Sequence, residues 1–121
     1  MTDYVVARTT EISEGERIVT QLEGREICVF NIDGEYRAYT NWCPHQAGPV
    51  CEGAITGTTE ATFDRENLET TLCYTKEGQI LNCPWHGWEY DITTGECLSR
   101  QQVKLPEYSV TVQDGDIIVS V

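Results

Sequence analysis

At 121 residues the chain has the length of one domain, enough to bury a hydrophobic core without disulfide staples. No apolar run approaches the roughly 20 residues of a membrane-spanning helix. The start, Met1-Thr2-Asp3-Tyr4, shows no basic region leading into an apolar core, so one soluble cytoplasmic domain is expected. Twenty acidic against eight basic residues give a net charge of −12, which argues against a nucleic-acid partner and suits a basic protein met by long-range steering. Only two lysines against 14 glutamates would equally suit a salt-adapted cytoplasm, and both explanations stand.

In chain order, Tyr4 to Ala7 reads as a first strand. The turn Glu14-Gly15-Glu16 follows, then a strand from Arg17 to Leu22. Glu23-Gly24-Arg25 turns the chain tightly into Glu26–Ile32, and Asp33-Gly34, a strong hairpin signal, leads into Glu35–Thr40. No helical periodicity is sustained over a dozen residues, and a β-meander is the expected scaffold for residues 4–41. The last third repeats the pattern. Gly78–Asn82 and Trp88–Asp91 flank a loop, Thr94-Gly95 turns into Glu96–Ser99, and Tyr108–Val112 with Asp116–Val121 forms a closing hairpin around Asp114-Gly115. Turns every eight to twelve residues predict an antiparallel all-β sandwich.

Residues 56–77 differ: they are polar and threonine-rich, with Phe63, Leu68, Leu72 and Tyr74 as the large apolar side chains. Asp64 is placed to cap one helical turn over residues 64–68, and Glu69–Thr75 reads as a strand running into a turn at Glu77-Gly78. A segment of this length in a compact domain is functional or partly structured. An ordered extension beside the site, such as a hairpin, is expected.

Two short stretches concentrate the chemistry: Cys43-Pro44-His45 and Cys83-Pro84-Trp85-His86. They hold both histidines of the chain, and all three tryptophans (Trp42, Trp85, Trp88) lie in or beside them. Six cysteines without a secretory context do not suggest a disulfide framework. Cys28, in the strand Glu26–Ile32, reads as a small buried hydrophobe, and Cys97 likewise. Cys51, eight residues after Cys43, keeps a ligand or redox role open, and the state of Cys73 is open too. Two Cys and two His would satisfy tetrahedral zinc. Zinc-finger order, however, groups like ligands on one loop, whereas each loop here offers one of each. A Cys–His nucleophilic dyad would use one stretch and leave the other idle. Cys43 and Cys83 meeting one metal while His45 and His86 meet a second fits a binuclear cluster with unequal ends, as in centres where two histidines replace two cysteines on one iron.

The stretches from Asn41 to Pro49 and from Cys83 to Asp91 resemble the two-loop signature of Rieske-type [2Fe–2S] proteins, and the strand-rich remainder resembles the family's small β-domain over nearly the whole chain. The 37 residues between His45 and Cys83 exceed the family's commonest spacing, and the excess falls in residues 56–77. The resemblance implies a β-sandwich over residues 1–121, with cluster-binding loops within about 41–92. It implies one [2Fe–2S] cluster on Cys43, His45, Cys83 and His86. The iron-bound histidines would present their outer edges to solvent, and the coupling of potential to pH would appear only at alkaline pH.

The family's high-potential branch joins its loops by a disulfide that would fall at positions 48 and 85 and places a serine at 88; this chain has Gly48, Trp85 and Trp88. Tyr90 matches the family's tyrosine, whose hydroxyl reaches the sulfur of Cys43. Fewer hydrogen bonds to sulfur leave the reduced cluster less stabilised, which predicts the lower half of a span of roughly −150 to +300 mV. Gly48 and Gly87 allow close backbone approach. Pro106 reads either as a simple turn or as the family's proline-bearing third loop.

With both histidines engaged, the chain has none for the mononuclear iron of an oxygenase. A one-electron carrier between a flavin reductase and a terminal oxygenase, without catalytic activity of its own, follows from the resemblance. It would be a monomer that docks basic surfaces. A small redox subunit like that of assimilatory nitrite reductases, or a redox-sensing cluster protein, are the alternatives.

Overall fold

The computed structural model describes residues 2–44, 48–85, 87–100 and 102–121. Strands β1 (Asp3–Arg8), β2 (Arg17–Leu22), β3 (Arg25–Ile32) and β4 (Glu35–Thr40) fill the N-terminal third. They are followed by β5 (Ile55–Asp64), β6 (Glu69–Asn82), β7 (Glu89–Asp91), β8 (Glu107–Gln113) and β9 (Asp116–Ser120). All strand pairings are antiparallel, in a six-stranded sheet ordered β1-β9-β8-β4-β3-β2 and a three-stranded sheet ordered β5-β6-β7.

Three hairpins turn as their sequences dictate. Glu23-Gly24, Asp33-Gly34 and Asp114-Gly115 each place two successive residues at positive φ, near 53° and then 79–81°. That pair of angles matches the twist of the flanking strands, and glycine takes the second at no steric cost. The meander holds for β2–β3–β4 only. β1 pairs with β9 rather than β2, and the closing hairpin β8–β9 inserts between β1 and β4. Local turn signals do not report such a long-range pairing.

β3 explains how two cores share one sheet. Its residues are buried from Ile27 to Ile32, and they alternate between two clusters. Ile27 and Val29 join Ile12, Ala38, Ile117 and Val119 in a basal core. Cys28, Phe30 and Ile32 join Tyr39, Leu81, Tyr90, Ile92 and Leu105 in a second core between the sheets. The period of two in side-chain direction puts successive residues on opposite faces, so a strand buried on both is mostly apolar, and the one polar residue between Ile27 and Ile32, Asn31, donates its side-chain amide to the Ile12 carbonyl. The buried Tyr39 hydroxyl donates to the Ile92 carbonyl at 2.5 Å, tying β4 to the segment beyond β7. Burial pushes the Tyr39 phenol far above its ordinary pKa, so it remains a donor.

Residues 56–77 form the expected hairpin. The helical turn is absent: residues 65–68 are the hairpin's own turn, with the Asp64 carboxylate accepting from the Glu66 and Asn67 amides and Leu68 at φ 54°. The turn at Glu77-Gly78 is a bulge inside β6, with Lys76 and Gly78 at positive φ, where pairing jumps from Thr58↔Thr75 to Thr56↔Ile80. Glu96–Ser99 is no strand; Glu96 and Cys97 make single bridges to Lys104 and Tyr90. Phe63, Leu72 and Tyr74 share one face of the outer hairpin and are exposed.

Candidate metal centre

Both stretches leave the second core together. The first loop runs from the end of β4 to the 3-10 turn Val50–Glu52. Thr40 donates its amide to the Pro106 carbonyl, and Asn41 donates its amide to the Glu26 carbonyl. The Asn41 side chain spans the loop: its Nδ2 donates to Glu26 Oε2 at 2.8 Å, and its Oδ1 accepts from the Cys51 amide at 2.9 Å. The Cys43 amide donates to the Gly48 carbonyl at 2.9 Å, turning the Cys43 thiol inward, where it is fully buried.

The second loop is a hairpin loop between β6 and β7, which pair at Asn82↔Glu89 and Leu81↔Tyr90. The Cys83 amide donates to the Trp88 carbonyl at 2.8 Å, and the Gly87 amide, at a residue with φ 68°, donates to the Cys83 carbonyl. Asn82 joins the loops, since its amide and Nδ2 both donate to the Ala54 carbonyl just beyond the 3-10 turn.

The two loops meet at Gly48. A Cβ there would lie 3.0 Å from Cγ of Trp85 and 3.2 Å from Sγ of Cys83. Only a residue without a side chain lets the Trp85 ring and the Cys83 sulfur pack on the first loop's backbone. The Tyr90 hydroxyl lies 3.0 Å from Sγ of Cys43. Burial first, and then the Cys43 neighbour, push the Tyr90 phenol far upward, so it too is a proton donor. Burial pushes the Cys83 thiol up to about 11; the Trp85 amide opposes the shift and the Cys43 thiol adds to it.

These groups fit a cluster held by thiolates. Two buried thiols from separate loops share one core, and a phenolic hydroxyl lies against one of them. A soft metal draws off such protons and supplies the positive charge that two thiolates in a core require. The expected histidine ligands, His45 and His86, lie outside the described residues. Among the described residues no group of three Cys, His, Asp or Glu is placed to hold a metal ion.

Around the thiols, Trp42 and Trp85 are 44% and 49% exposed, whereas Trp88 packs on the core with the Arg100 guanidinium 5.2 Å from its ring. Pro106 is exposed at the end of β4, and the buried Leu105 beside it joins the second core. Cys97 is a free buried thiol in that core, and Cys73 is free and exposed on the hairpin.

One expectation is overturned. Cys28 is no free thiol: it is disulfide-bonded to Cys51, with Cα atoms 5.8 Å apart. Its strand pattern correctly indicated burial, but burial is equally compatible with a bridge. The available signal was Cys51, placed just after the first loop. Asn41 is a further residue that shapes the site, and its signal in the sequence is a polar side chain between a strand's end and the Cys-Pro-His stretch.

Two antiparallel sheets that present paired thiols from two loops define a small β-domain built around a metal centre. The chain belongs to the Rieske [2Fe-2S] domain family, which it matches over residues 2–109. It is 27% identical to a "Rieske domain-containing protein" of Homo sapiens, over 95% of this chain and 72% of that one. It is 24% identical to the ferredoxin component of the naphthalene 1,2-dioxygenase system of Pseudomonas aeruginosa, over 90% of this chain and 86% of the relative. The fold matches the structure described as "complex of reduced oxygenase and oxidized ferredoxin in carbazole 1,9a-dioxygenase" at a TM-score of 0.71. That match has 20% identity and covers 98% of this chain and 92% of the other.

Proposed function

We propose that the chain is a Rieske ferredoxin, carrying one electron at a time from a flavin reductase to a terminal oxygenase or a similar acceptor. The observation that carries this reading is the buried Cys43–Cys83 pair, presented with Tyr90 by two loops of a chain that matches the Rieske family over most of its length. Cys43 and Cys83 hold one iron and His45 and His86 the other, so all four are ligands. When bound, the cluster supplies one-electron storage at low potential. The protein's part is to keep that site dry on the inside and approachable on the outside. Leu81, Tyr90, Ile92 and Cys97 close it from below. Trp42 and Trp85, one from each loop, leave aromatic surface open beside it for a partner to cover.

The relatives named as ferredoxin components of oxygenase systems, and the solved complex of an oxygenase with its ferredoxin, support an acceptor of that kind. The acidic surface supports partners with basic docking faces, because 20 carboxylates face only eight cations. We place the chain in the cytoplasm as a monomer, binding neither membrane nor nucleic acid. Electron paramagnetic resonance of the dithionite-reduced protein, followed through a redox titration, tests this reading. A rhombic signal with average g below the free-electron value and a midpoint in the lower half of the family's span of roughly −150 to +300 mV is expected. A colourless zinc protein, or a midpoint above about +200 mV, overturns it.

A further inference from the structure

We propose that the Cys28–Cys51 disulfide is the positioning clamp of the first ligand loop, so that retention of the metal centre depends on this bridge being intact. The inference rests on Cys43 being a ligand. Its basis is where the bridge sits. Cys28 is in the middle of β3, paired with Tyr39 of β4, and points into the second core beside Cys43 and Cys83. Cys51 lies in the 3-10 turn that ends the first loop. The loop therefore leaves β4 at Thr40 and is bonded, ten residues after Asn41, to the strand next to the one it left.

The loop needs such a clamp because its two ends belong to different sheets. β4 lies in the six-stranded sheet and β5 in the three-stranded one. No strand pairing closes the loop, unlike the second loop, whose ends pair at Asn82↔Glu89. Among the described residues the far end of the loop is otherwise held by hydrogen bonds alone: the Cys51 amide to Asn41 Oδ1, the Arg17 guanidinium to the Gly53 carbonyl, and Asn82 to the Ala54 carbonyl. Cutting Cys28–Cys51 removes the one covalent link between the first loop and the strand beneath it, and leaves Cys43 on a loop held by those bonds. The bridge that would join the loops in high-potential relatives is impossible here, because Gly48 and Trp85 stand at its positions. In this chain the staple runs from loop to scaffold.

Both bridge residues are fully buried. Attack by an external thiolate requires the core to open first, so the bridge withstands a reducing compartment once formed.

The test starts with peptide mapping of the purified, cluster-loaded protein without reductant, after alkylation of free thiols. A linked Cys28–Cys51 peptide is expected, with Cys73 and Cys97 alkylated. Next, the double variant Cys28→Ala/Cys51→Ala is compared with the wild type and with Ile117→Val, which trims the basal core. Amide hydrogen exchange should speed up at least tenfold over the described residues 41–44 and 48–52 of the double variant, with residues 83–85 unchanged. Iron release to a ferrous chelator should accelerate at least tenfold, and the resonance spectrum should broaden.

If the double variant does not fold, the wild type is treated with a phosphine in mild urea. The phosphine takes oxygen from water and is oxidised, while the disulfide gains two electrons and two protons to give two thiols. The same exchange pattern is then expected. Absence of the linked peptide overturns the proposal, as does loop exchange or iron release no faster than in Ile117→Val. A chain that binds no iron–sulfur cluster would refute the ligand assignment instead, and the exchange pattern would still decide the clamp.

Discussion

The two ligand loops solve one problem in different ways. The second loop is the connection of a hairpin: β6 and β7 pair beneath it, and the Cys83 and Gly87 amides close it from within. The first loop crosses between sheets and is closed by a side chain, Asn41, and by a covalent bond, Cys28–Cys51. A hairpin loop inherits its shape from the ladder below it. A crossover loop must have its shape imposed, and a disulfide across 23 residues constrains the unfolded chain by about 3–4 kcal/mol in the chain-entropy account. One loop therefore depends on a bond that reduction can cut only after the core opens, and the other on a carboxylate that acid can protonate.

The largest effects should come from the ligands, where the loops are equivalent. Cys83→Ser and His86→Ala in the second loop should abolish cluster assembly, as should Cys43→Ser in the first, read as loss of visible absorbance and of the reduced-state resonance signal. A protein that retained its cluster after loss of a residue on one loop would break the symmetry of two ligands per loop. Next comes the contact between the loops. Gly48→Ala puts a methyl 3.0 Å from the Trp85 ring and 3.2 Å from the Cys83 sulfur. At these distances the ring, the sulfur or the first loop must shift. The expected cost is about 1–3 kcal/mol, measured by denaturant unfolding and accompanied by a change in tryptophan fluorescence.

How much of this was legible from sequence follows the same division between local and long-range order. The hairpins at Glu23-Gly24, Asp33-Gly34 and Asp114-Gly115 declare themselves, because positive φ at successive residues leaves few side chains eligible. The two stretches proposed to hold the centre are local motifs as well; Cys43 and Cys83 are buried in one core, whereas His45 and His86 lie outside the described residues. What stayed hidden depends on partners distant in the chain: β1 on β9, β8 beside β4, and Cys28 on Cys51. An apolar run around a cysteine looks the same whether the thiol is free or bridged, so Cys28 was misread as a free one. In the hairpin arm, the bulge at residues 76–79 looked like a plain turn, because a glycine at positive φ serves both.

A smaller effect concerns hydrogen bonding to the first loop's sulfur. The first loop's thiol has the Tyr90 hydroxyl at 3.0 Å. At the position where the high-potential branch would supply a serine hydroxyl the chain has Trp88, whose ring packs on the core. The phenol's bond to a thiolate is worth most when the site carries its extra electron, so Tyr90→Phe should lower the midpoint. A net hydrogen bond of about 0.5–1.5 kcal/mol corresponds to roughly 20–60 mV for one electron. A midpoint that rose would show that the hydroxyl does not donate to Cys43.

The smallest predicted effect concerns the footing of the second loop, which is electrostatic where that of the first is covalent. Asp91 ends β7. Its Oδ1 accepts from the Thr93 amide at 2.9 Å and from the Thr93 hydroxyl at 2.6 Å, and its Oδ2 faces Lys76 Nζ at 3.2 Å across the bulge of β6. Burial raises its pKa, but the Thr93 bonds and Lys76 together hold it below the ordinary carboxylate range. Because the folded value lies below the unfolded one, near 3.9, this contribution is complete above that pH and disappears as the pH falls through the folded value. Lys76 is 41% exposed, so the ion pair counts for little and the Thr93 bonds carry most of the effect. Asp91→Asn should therefore cost about 1–2 kcal/mol at neutral pH, and the difference from wild type should narrow as the pH falls below the unfolded carboxylate value of about 3.9. Urea unfolding of both proteins from about pH 2 to 8 measures this. A gap that stayed constant across that range would mean that Asp91 acts through shape alone, leaving the second loop as indifferent to acid as the first.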